Sequence, residues 1–578
     1  MTNKQNDATL PSRRLPSVER PWLRYHSRED IEAPIPESTI YQFLVENNQE
    51  HPDDIALLCL DAAITYGQLF DRIDRCAKGL RAVGVRRDDI VTVAMPCLPE
   101  AVVAFYAINR LGAVANMIHP LMSAEETCRH LCEVGSKVLL MFGGTYHLVA
   151  THLHTTMVET AVVTSVGSSE TVVPTTVPGG PEVLAWEDME RLGQDMQLSA
   201  PDRATGDHAL ISHTGGTTGE QKGVVCTNLN IQAEIFQGLA GIDYQRQECI
   251  MATLPPHINY SLVSTILRHL SHGLKVVLIP RYQPEKFVEY VTTYHVNHIL
   301  TIPAYWKAIL HIPGIEQADL SSLKFLASGG EHIDLHSEEA VNNLLKGCGA
   351  KGGLIKGTGM TEMTCATTYS LPWRNPPGSV GSPLVKTNCK VVNVDSGEEL
   401  TYGEEGEVCF SGPTLMAGYY NNPEATRQVV RTDDAGTPWL HTGDLGYITE
   451  DGMLFITGRM KRMLLTRDNN GVVSKIFPDR VEEVLMAIPG VEACCVVGVP
   501  NERRITVAVA FVQPDEGGGK DGRLKDRIFE ACSMQLPPYM MPEQVTFIAE
   551  MPRTERGKTD YRALERKAME TLLTNTIS

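Results

Sequence analysis

One run of ten residues concentrates most of the chemistry in this sequence: Thr214-Gly215-Gly216-Thr217-Thr218-Gly219-Glu220-Gln221-Lys222-Gly223. Its four glycines let the backbone curl so that N–H groups point inward, its three threonines add hydroxyl donors, and Lys222 adds a positive charge. Such a loop is built to hold polyphosphate. Apolar strand candidates flank it, at residues 209–212 and 224–225, which is poor company for a flexible linker. It is not a Walker loop, which sets Gly-Lys-Ser/Thr after a four-residue gap from an earlier glycine. Gly557-Lys558-Thr559 has the Gly-Lys-Thr, but Pro552 stands where that glycine belongs. Elsewhere the reactive side chains are sparser. Cys128, His130 and Cys132, and His152 with His154, look like fragments of a metal site, yet no further ligands complete a tetrahedral set at normal spacing. Structural zinc is therefore not expected.

A phosphate loop must be positioned by strands and helices, and the hydrophobic pattern supplies them. Leu69, Ile73, Ala77 and Leu80 recur at helical spacing and predict a helix over 66–83. Residues 89–95 read as a short buried strand and 99–111 as another helix. Apolar strands follow at 138–142, 161–165, 274–279 and 297–302, alternating with helical stretches. This alternation predicts α/β layers with largely parallel sheets. No repeat with a fixed period stands out. Near residue 380 the pattern changes to short strands with Gly-rich turns, at 390–394, 406–411 and 453–457, which predict a small β-barrel. After Lys461 a compact α+β unit is expected, with helices over 478–487 and 522–534 and strands over 495–499, 507–512 and 545–548. A domain boundary near residue 460 follows. Residues 165–181 read as a loop. Residues 1–35, punctuated by Pro11, Pro16, Pro21 and Pro34, read as a loosely ordered leader.

Composition bounds the answer. The chain has 578 residues, of which 43% are hydrophobic, ample for a core and incompatible with wholesale disorder. With 51 Lys and Arg against 70 Asp and Glu, the net charge is 51 − 70 = −19. That balance argues against nucleic acid or an anionic membrane as a partner of the whole surface. An anionic nucleotide would need a local device of N–H groups, placed cations or a metal ion. The apolar stretch 100–122 is broken by Asn109, Arg110 and Asn116, so no integral membrane segment is expected. The N-terminus lacks a secretory apolar run, and the 14 cysteines are scattered, which suggests a reducing cytoplasmic setting.

The Thr214–Gly223 loop resembles the signature loop of AMP-forming acyl-adenylating enzymes, the superfamily of acyl-CoA synthetases, peptide-synthetase adenylation domains and luciferases. Gly215 stands where Ser is common there, and Gln221 where Pro is usual. Further segments match in order. Gly359-Met360-Thr361-Glu362 is similar to the motif whose Thr contacts the AMP phosphate and whose Glu holds Mg²⁺, a hard cation suited to carboxylate oxygen. Thr358 precedes it where an aromatic usually stacks on adenine. Ser328-Gly329-Gly330-Glu331 resembles the turn lining the adenine and acyl pockets, so the resemblance implies nucleotide contacts for Gly330, Glu331, Thr358 and Gly359. His441-Thr442-Gly443-Asp444 resembles the motif whose Asp grips both ribose hydroxyls, as an ionised carboxylate can. In Gly458-Arg459-Met460-Lys461 the resemblance assigns Arg459 to the ribose or phosphate and makes Lys461 the hinge. Pro552-Arg553-Thr554-Glu555-Arg556-Gly557-Lys558 resembles a mobile loop whose Lys follows the charge on the reacting phosphate. His257 matches a gate between the ATP and acyl sites. Residues 467–474 hold a short insertion before Pro478 and Glu482.

The resemblance covers about residues 40–565. It implies a large N-terminal domain of layered α/β subdomains plus a small β-barrel over 36–460, and a mobile α+β C-terminal domain over 461–578. The implied reaction activates a carboxylic acid with ATP and Mg²⁺ and then transfers the acyl group to coenzyme A. The runner-up is a stand-alone ligase that loads a carrier protein. No Asp occurs between residues 251 and 280 to pair with an amino acid's ammonium, and little sequence follows Lys558; both favour the acyl-CoA synthetase. Asn259, Tyr260, Tyr305, Trp306 and Gly330 are pocket candidates, and their mixed character leaves fatty and aryl acids both open.

Overall fold

The helix Pro99–Leu111 shows how local sequence sets these elements. Pro99 occupies the first turn, where a missing N–H costs nothing, and Gly112 closes the helix in the left-handed region at φ 77°. The helix Tyr66–Ala82 starts from a reciprocal cap: the Gln68 N–H donates to the Thr65 hydroxyl and the Thr65 N–H to the Gln68 side chain. Both helices belong to an apolar layer shared by two sheets. In the computed structural model the described residues are 14–165, 177–198, 204–214, 221–467, 473–501, 503–515, 523–553 and 559–576.

The first sheet has seven strands, ordered Leu354–Lys356, Phe325–Ser328, His298–Thr301, Cys249–Ala252, Lys275–Leu278, Ile55–Cys59 and Ala62–Thr65. All neighbours are parallel except the last pair, a hairpin. The second has eight strands, ordered Gly418–Tyr419, Gly223–Thr227, His208–His213, Val114–Met117, Ile90–Ala94, Val138–Phe142, Thr160–Thr164 and Glu182–Ala185. It is parallel from His208–His213 onward and antiparallel at its first two pairings. Strands such as Val114–Met117 and Cys249–Ala252 are buried on both faces, which is why they read as continuous apolar runs.

The barrel expected after residue 380 takes the form of an antiparallel five-stranded sheet of Asn388–Val392, Gly406–Ser411, Pro438–Ile448, Val430–Thr432 and Leu454–Arg459. Beyond it a mixed sheet is built on the long hairpin Val491–Asn501 and Ile505–Pro514. The helices Pro478–Met486 and Leu524–Gln535 cover one of its faces and Tyr561–Thr576 the other.

The loosely ordered leader is corrected over residues 14–35. Pro16 and Pro21 open the short helical turns Pro16–Glu19 and Pro21–Tyr25 instead of breaking structure, and Arg28–Glu32 forms a further helix. Trp22 is fully buried against Val408, Phe410, Leu440 and Leu454 of the antiparallel sheet. Burying an indole supplies a few kcal/mol that a local reading of proline does not count. Most of the predicted loop at 165–181 falls outside the described residues, as does the core of the 467–474 insertion. Among the described residues no helix is long and apolar enough to cross a membrane.

Candidate active site

Four of the matched segments begin beyond the carboxyl ends of strands in the two α/β sheets, where open α/β sheets place their ligands. Thr214 follows His208–His213, His257 lies five residues beyond Cys249–Ala252, Gly329 follows Phe325–Ser328, and Gly357 follows Leu354–Lys356. Gly215, Gly216, Thr217, Thr218 and Gly219 lie outside the described residues, and so does Lys558. The base of the phosphate loop is described and closed. The Thr214 N–H donates to the Lys222 carbonyl at 3.0 Å, and the Lys222 N–H donates to the Thr214 hydroxyl at 3.1 Å.

Lys222 Nζ stands 4.9 Å from the centre of the Tyr419 ring. The Tyr419 hydroxyl in turn donates to Glu362 Oε1 at 2.7 Å. One side chain therefore links the phosphate loop to the proposed metal ligand. Tyr419 escaped the sequence reading. A signal existed in Asn422-Pro423, because the Asn422 side chain accepts from the Ala425 N–H and caps the helix Pro423–Val429. That cap fixes the turn that presents Gly418–Tyr419 as an edge strand on Gly223–Thr227.

Thr361 and Glu362 sit in a 3-10 turn, Thr361–Met363, held from several sides. Gly359 is required there, since a Cβ would stand 2.0 Å from the Cys365 carbonyl oxygen. Thr364 has φ 65°, a strained value for a β-branched residue. It is held by the Asn259 amide, which donates to its carbonyl at 2.6 Å, and by its own hydroxyl, which donates to the Thr414 carbonyl at 2.8 Å. Asn259 also accepts from the Ser212 hydroxyl at 2.5 Å. Asn259 thus braces the strand before the phosphate loop against the Thr361–Glu362 turn, and is scaffold where a pocket wall was expected. Thr358 is fixed by its backbone: its carbonyl accepts from the Thr367 N–H at 2.9 Å.

Asp444 and Arg459 face each other across neighbouring antiparallel strands, with Arg459 Nε 2.9 Å from Asp444 Oδ1. The Asp444 side chain is only 8% exposed while that of Arg459 is 61% exposed. Burial pushes the Asp444 carboxyl above the usual range; Arg459 pulls it back, and Asp479, Glu362 and Glu407 push it further up. Arg459 is the charged neighbour of its Oδ1, though outside hydrogen-bond geometry. Next to it, His441 Nδ1 lies 2.7 Å from Glu407 Oε2, and the Gly443 N–H donates to Glu407 Oε1 at 3.1 Å.

Lys461 is exposed in the turn Met460–Arg462. Arg462 is fastened to the C-terminal unit. It pairs with Asp479, donates to Glu482 Oε1 at 2.5 Å and lies over the Tyr561 ring. His257 is buried and packs edge-on to His119, ring centroids 4.6 Å apart. Gly330 takes φ 86° and Glu331 is exposed at the turn after Phe325–Ser328, while the neighbouring Gly329 lies against the Tyr260 ring. Tyr260 starts a π-helical stretch, Tyr260–Leu267, a form enriched at functional sites. Trp306, expected as a pocket residue, is 1% exposed in the core of the seven-stranded sheet, with its indole N–H donating to the Ala327 carbonyl at 3.0 Å.

The family model described as AMP-binding enzyme matches residues 44–420, and the AMP-binding enzyme C-terminal domain matches 480–558. A long-chain-fatty-acid–CoA ligase of Bacillus subtilis is 26% identical over 94% of this chain and 98% of its own. A probable 4-coumarate–CoA ligase of Dictyostelium discoideum is 28% identical over 83% of this chain and 86% of its own. Among solved structures, the anthranilate CoA ligase AuaEII in complex with anthranoyl-AMP superposes with a TM-score of 0.80 at 23% identity, covering 94% of this chain and 99% of the other. ATP-bound MatB from Rhodopseudomonas palustris gives 0.77 at 22% identity, covering 92% and 100%.

Proposed function

We infer the function from one premise: this chain belongs to the AMP-binding enzyme family and is a ligase. It activates a carboxylic acid with ATP. A carboxylate oxygen attacks the α-phosphorus, the bond from that phosphorus to the β-bridging oxygen breaks, and pyrophosphate leaves. The acyl-adenylate then meets the thiol of coenzyme A. Sulfur attacks the acyl carbonyl, AMP departs, and the thiol proton passes to solvent.

The observation that carries this reading is the chain Lys222–Tyr419–Glu362, which ties the base of a polyphosphate loop to a carboxylate at a strained turn. Thr214, Lys222 and the loop between them hold the phosphates, and Thr361 contacts the α-phosphate. Glu362 fits a magnesium ion, because Tyr419 occupies only Oε1 and leaves Oε2 to a hard cation that would screen the phosphate charge. Asp444 and Arg459 grip the ribose. Lys558 follows the charge on the reacting phosphorus and is withdrawn when the C-terminal unit rotates about Lys461. The Arg462 anchorage supports a pivot there, since the residue after Lys461 is already fastened to the far domain. His257 gates the passage between nucleotide and acyl sites. The ligase names of the curated relatives support coenzyme A as the acceptor. Fourteen free cysteines suit a reducing cytoplasm.

The test is pyrophosphate release with ATP and Mg²⁺ over a panel of fatty, aryl and amino acids, each with coenzyme A, with a holo-carrier protein, and with neither. Acid-dependent pyrophosphate, with thioester and AMP formed on coenzyme A, is expected. Thioester on the carrier alone would move the acceptor to a carrier protein. ATP-dependent pyrophosphate from none of the acids would overturn the reading.

A further inference from the structure

The helix Ala124–Val134 and the strand His208–His213 meet just below the phosphate loop, and there the structure gathers side chains that the sequence keeps eighty residues apart. His130 and His213 are 1% and 5% exposed, with ring centroids 4.1 Å apart and planes at 62°. Glu133, one helical turn after His130, places Oε2 3.5 Å from His130 Nδ1. One nitrogen from each ring and one carboxylate oxygen all lie within 4.8 Å of one another.

Two details distinguish this cluster from ordinary histidine packing. Neither ring nitrogen of His130 makes a hydrogen bond, though the ring is wholly buried. A buried polar group in that state costs about 1–3 kcal/mol unless something else satisfies it. His213, for its part, has its tautomer fixed. The Asn116 amide N–H donates to the Thr92 hydroxyl at 3.0 Å, which orients Asn116 Oδ1 to accept from His213 Nε2–H at 2.8 Å. The proton therefore sits on Nε2, and Nδ1 carries a lone pair. This is the arrangement of metal-ligating histidines, whose second ring N–H donates to a protein oxygen and sets ring orientation.

We propose that His130, Glu133 and His213 form a binding site for a divalent transition metal of the zinc class, seated under the start of the phosphate loop. Two imidazoles and a carboxylate suit zinc, with exposed Glu133 leaving the fourth position to water. Tetrahedral ligand atoms at zinc stand about 3.3 Å apart, so the cluster needs only to contract by about 1.5 Å at its widest. His213 pairs with Gly223 across the base of the loop, so a bound ion would clamp the helix Ala124–Val134 to the strand that carries Thr214. The sequence fragments Cys128, Cys132, His152 and His154 take no part; Cys132 instead donates to the Thr155 carbonyl. Glu407, Cys409 and His441 form a second cluster of possible ligands, but its His441–Glu407 hydrogen bond and the Gly443 contact already commit the donor atoms. The proposed site is independent of the acid or acceptor used in catalysis.

The experiment is titration of the metal-stripped full chain with Zn²⁺ against a chromophoric chelator, repeated with Co²⁺ to read the visible bands of four-coordinate cobalt. Wild type should bind one equivalent more tightly than His130→Ala, and Glu133→Gln, a surface change that leaves the fold alone, should bind at least tenfold more weakly than wild type. Cobalt bands should appear in wild type and vanish in His130→Ala. Zinc affinity unchanged by Glu133→Gln, or a wild-type cobalt spectrum of six-coordinate solvent ions only, would overturn the site.

Discussion

Replacing Asp444 by Asn should separate activity from stability. In the proposed complex the ionised carboxylate accepts a hydrogen bond from each ribose hydroxyl; Asn keeps one acceptor oxygen and offers an N–H where the second acceptor stood. Hydrogen bonds to charged groups are worth about 1.5–3 kcal/mol each, so losing one lowers kcat/KM for ATP by about 10- to 150-fold. The fold should not suffer. Burial holds the Asp444 carboxyl above its ordinary range, so ionisation costs more in the folded than in the unfolded protein. That cost is absent below the unfolded pKa and fully present once pH exceeds the raised folded value, so at neutral pH the neutral amide removes a destabilising charge. Arg459 is largely exposed and loses little when its partner is neutralised. The urea midpoint of Asp444→Asn should therefore equal or exceed that of wild type while pyrophosphate release collapses. The same raised carboxyl makes wild-type KM for ATP climb as pH falls through it, at a higher pH than an ordinary Asp would give, and this limb should be missing from the variant. An unchanged kcat/KM for ATP, or a lowered midpoint that accounts for the lost activity, would refute the reasoning.

Other outcomes follow from the same structure. Tyr419→Phe keeps the ring beneath Lys222 but removes the hydroxyl on Glu362, and should reduce ATP-dependent pyrophosphate release at limiting Mg²⁺ by about tenfold or more, while urea unfolding loses no more than the worth of that bond, about 1.5–3 kcal/mol. Glu234→Gln leaves the wholly buried Arg268 without its counter-charge and should cost about 3–5 kcal/mol in urea unfolding, whereas Glu234→Leu combined with Arg268→Met should recover most of it. Thiol titration of the native protein should show one fast-reacting cysteine, Cys132, abolished by Cys132→Ser. Cys132 is the exposed thiol, and burial pushes Cys76, Cys226, Cys365 and Cys389 upward, away from the reactive thiolate.

Local information went far. Pro99 and Gly112 bound a helix wherever the rest of the chain goes, and the helix over 66–82 carries its own cap and apolar stripe. The buried parallel strands announce themselves as apolar runs. The Gly/Thr loop, the Thr361–Glu362 turn and the Asp444 hairpin stand out in the sequence because binding a phosphate, a metal or a diol would each demand particular residue types in short segments. What stayed hidden was decided by contacts between distant segments. The fate of Trp22 depends on a sheet some four hundred residues later, and Trp306 became core because the helix it sits on packs inward. Tyr419 gained a role only when its edge strand paired with Gly223–Thr227 and brought its hydroxyl to Glu362. The depth at which Asp444 sits, and hence the height of its pKa, belongs to the surrounding protein and not to its four-residue motif. His130 looked like an incomplete metal fragment because its neighbours in sequence point elsewhere. Its partner, His213, arrives on another strand. Residue types fix which chemistry a chain could perform. Burial and the pairing of remote strands fix which of those groups meet, because desolvation and coordination act through space and not along the backbone.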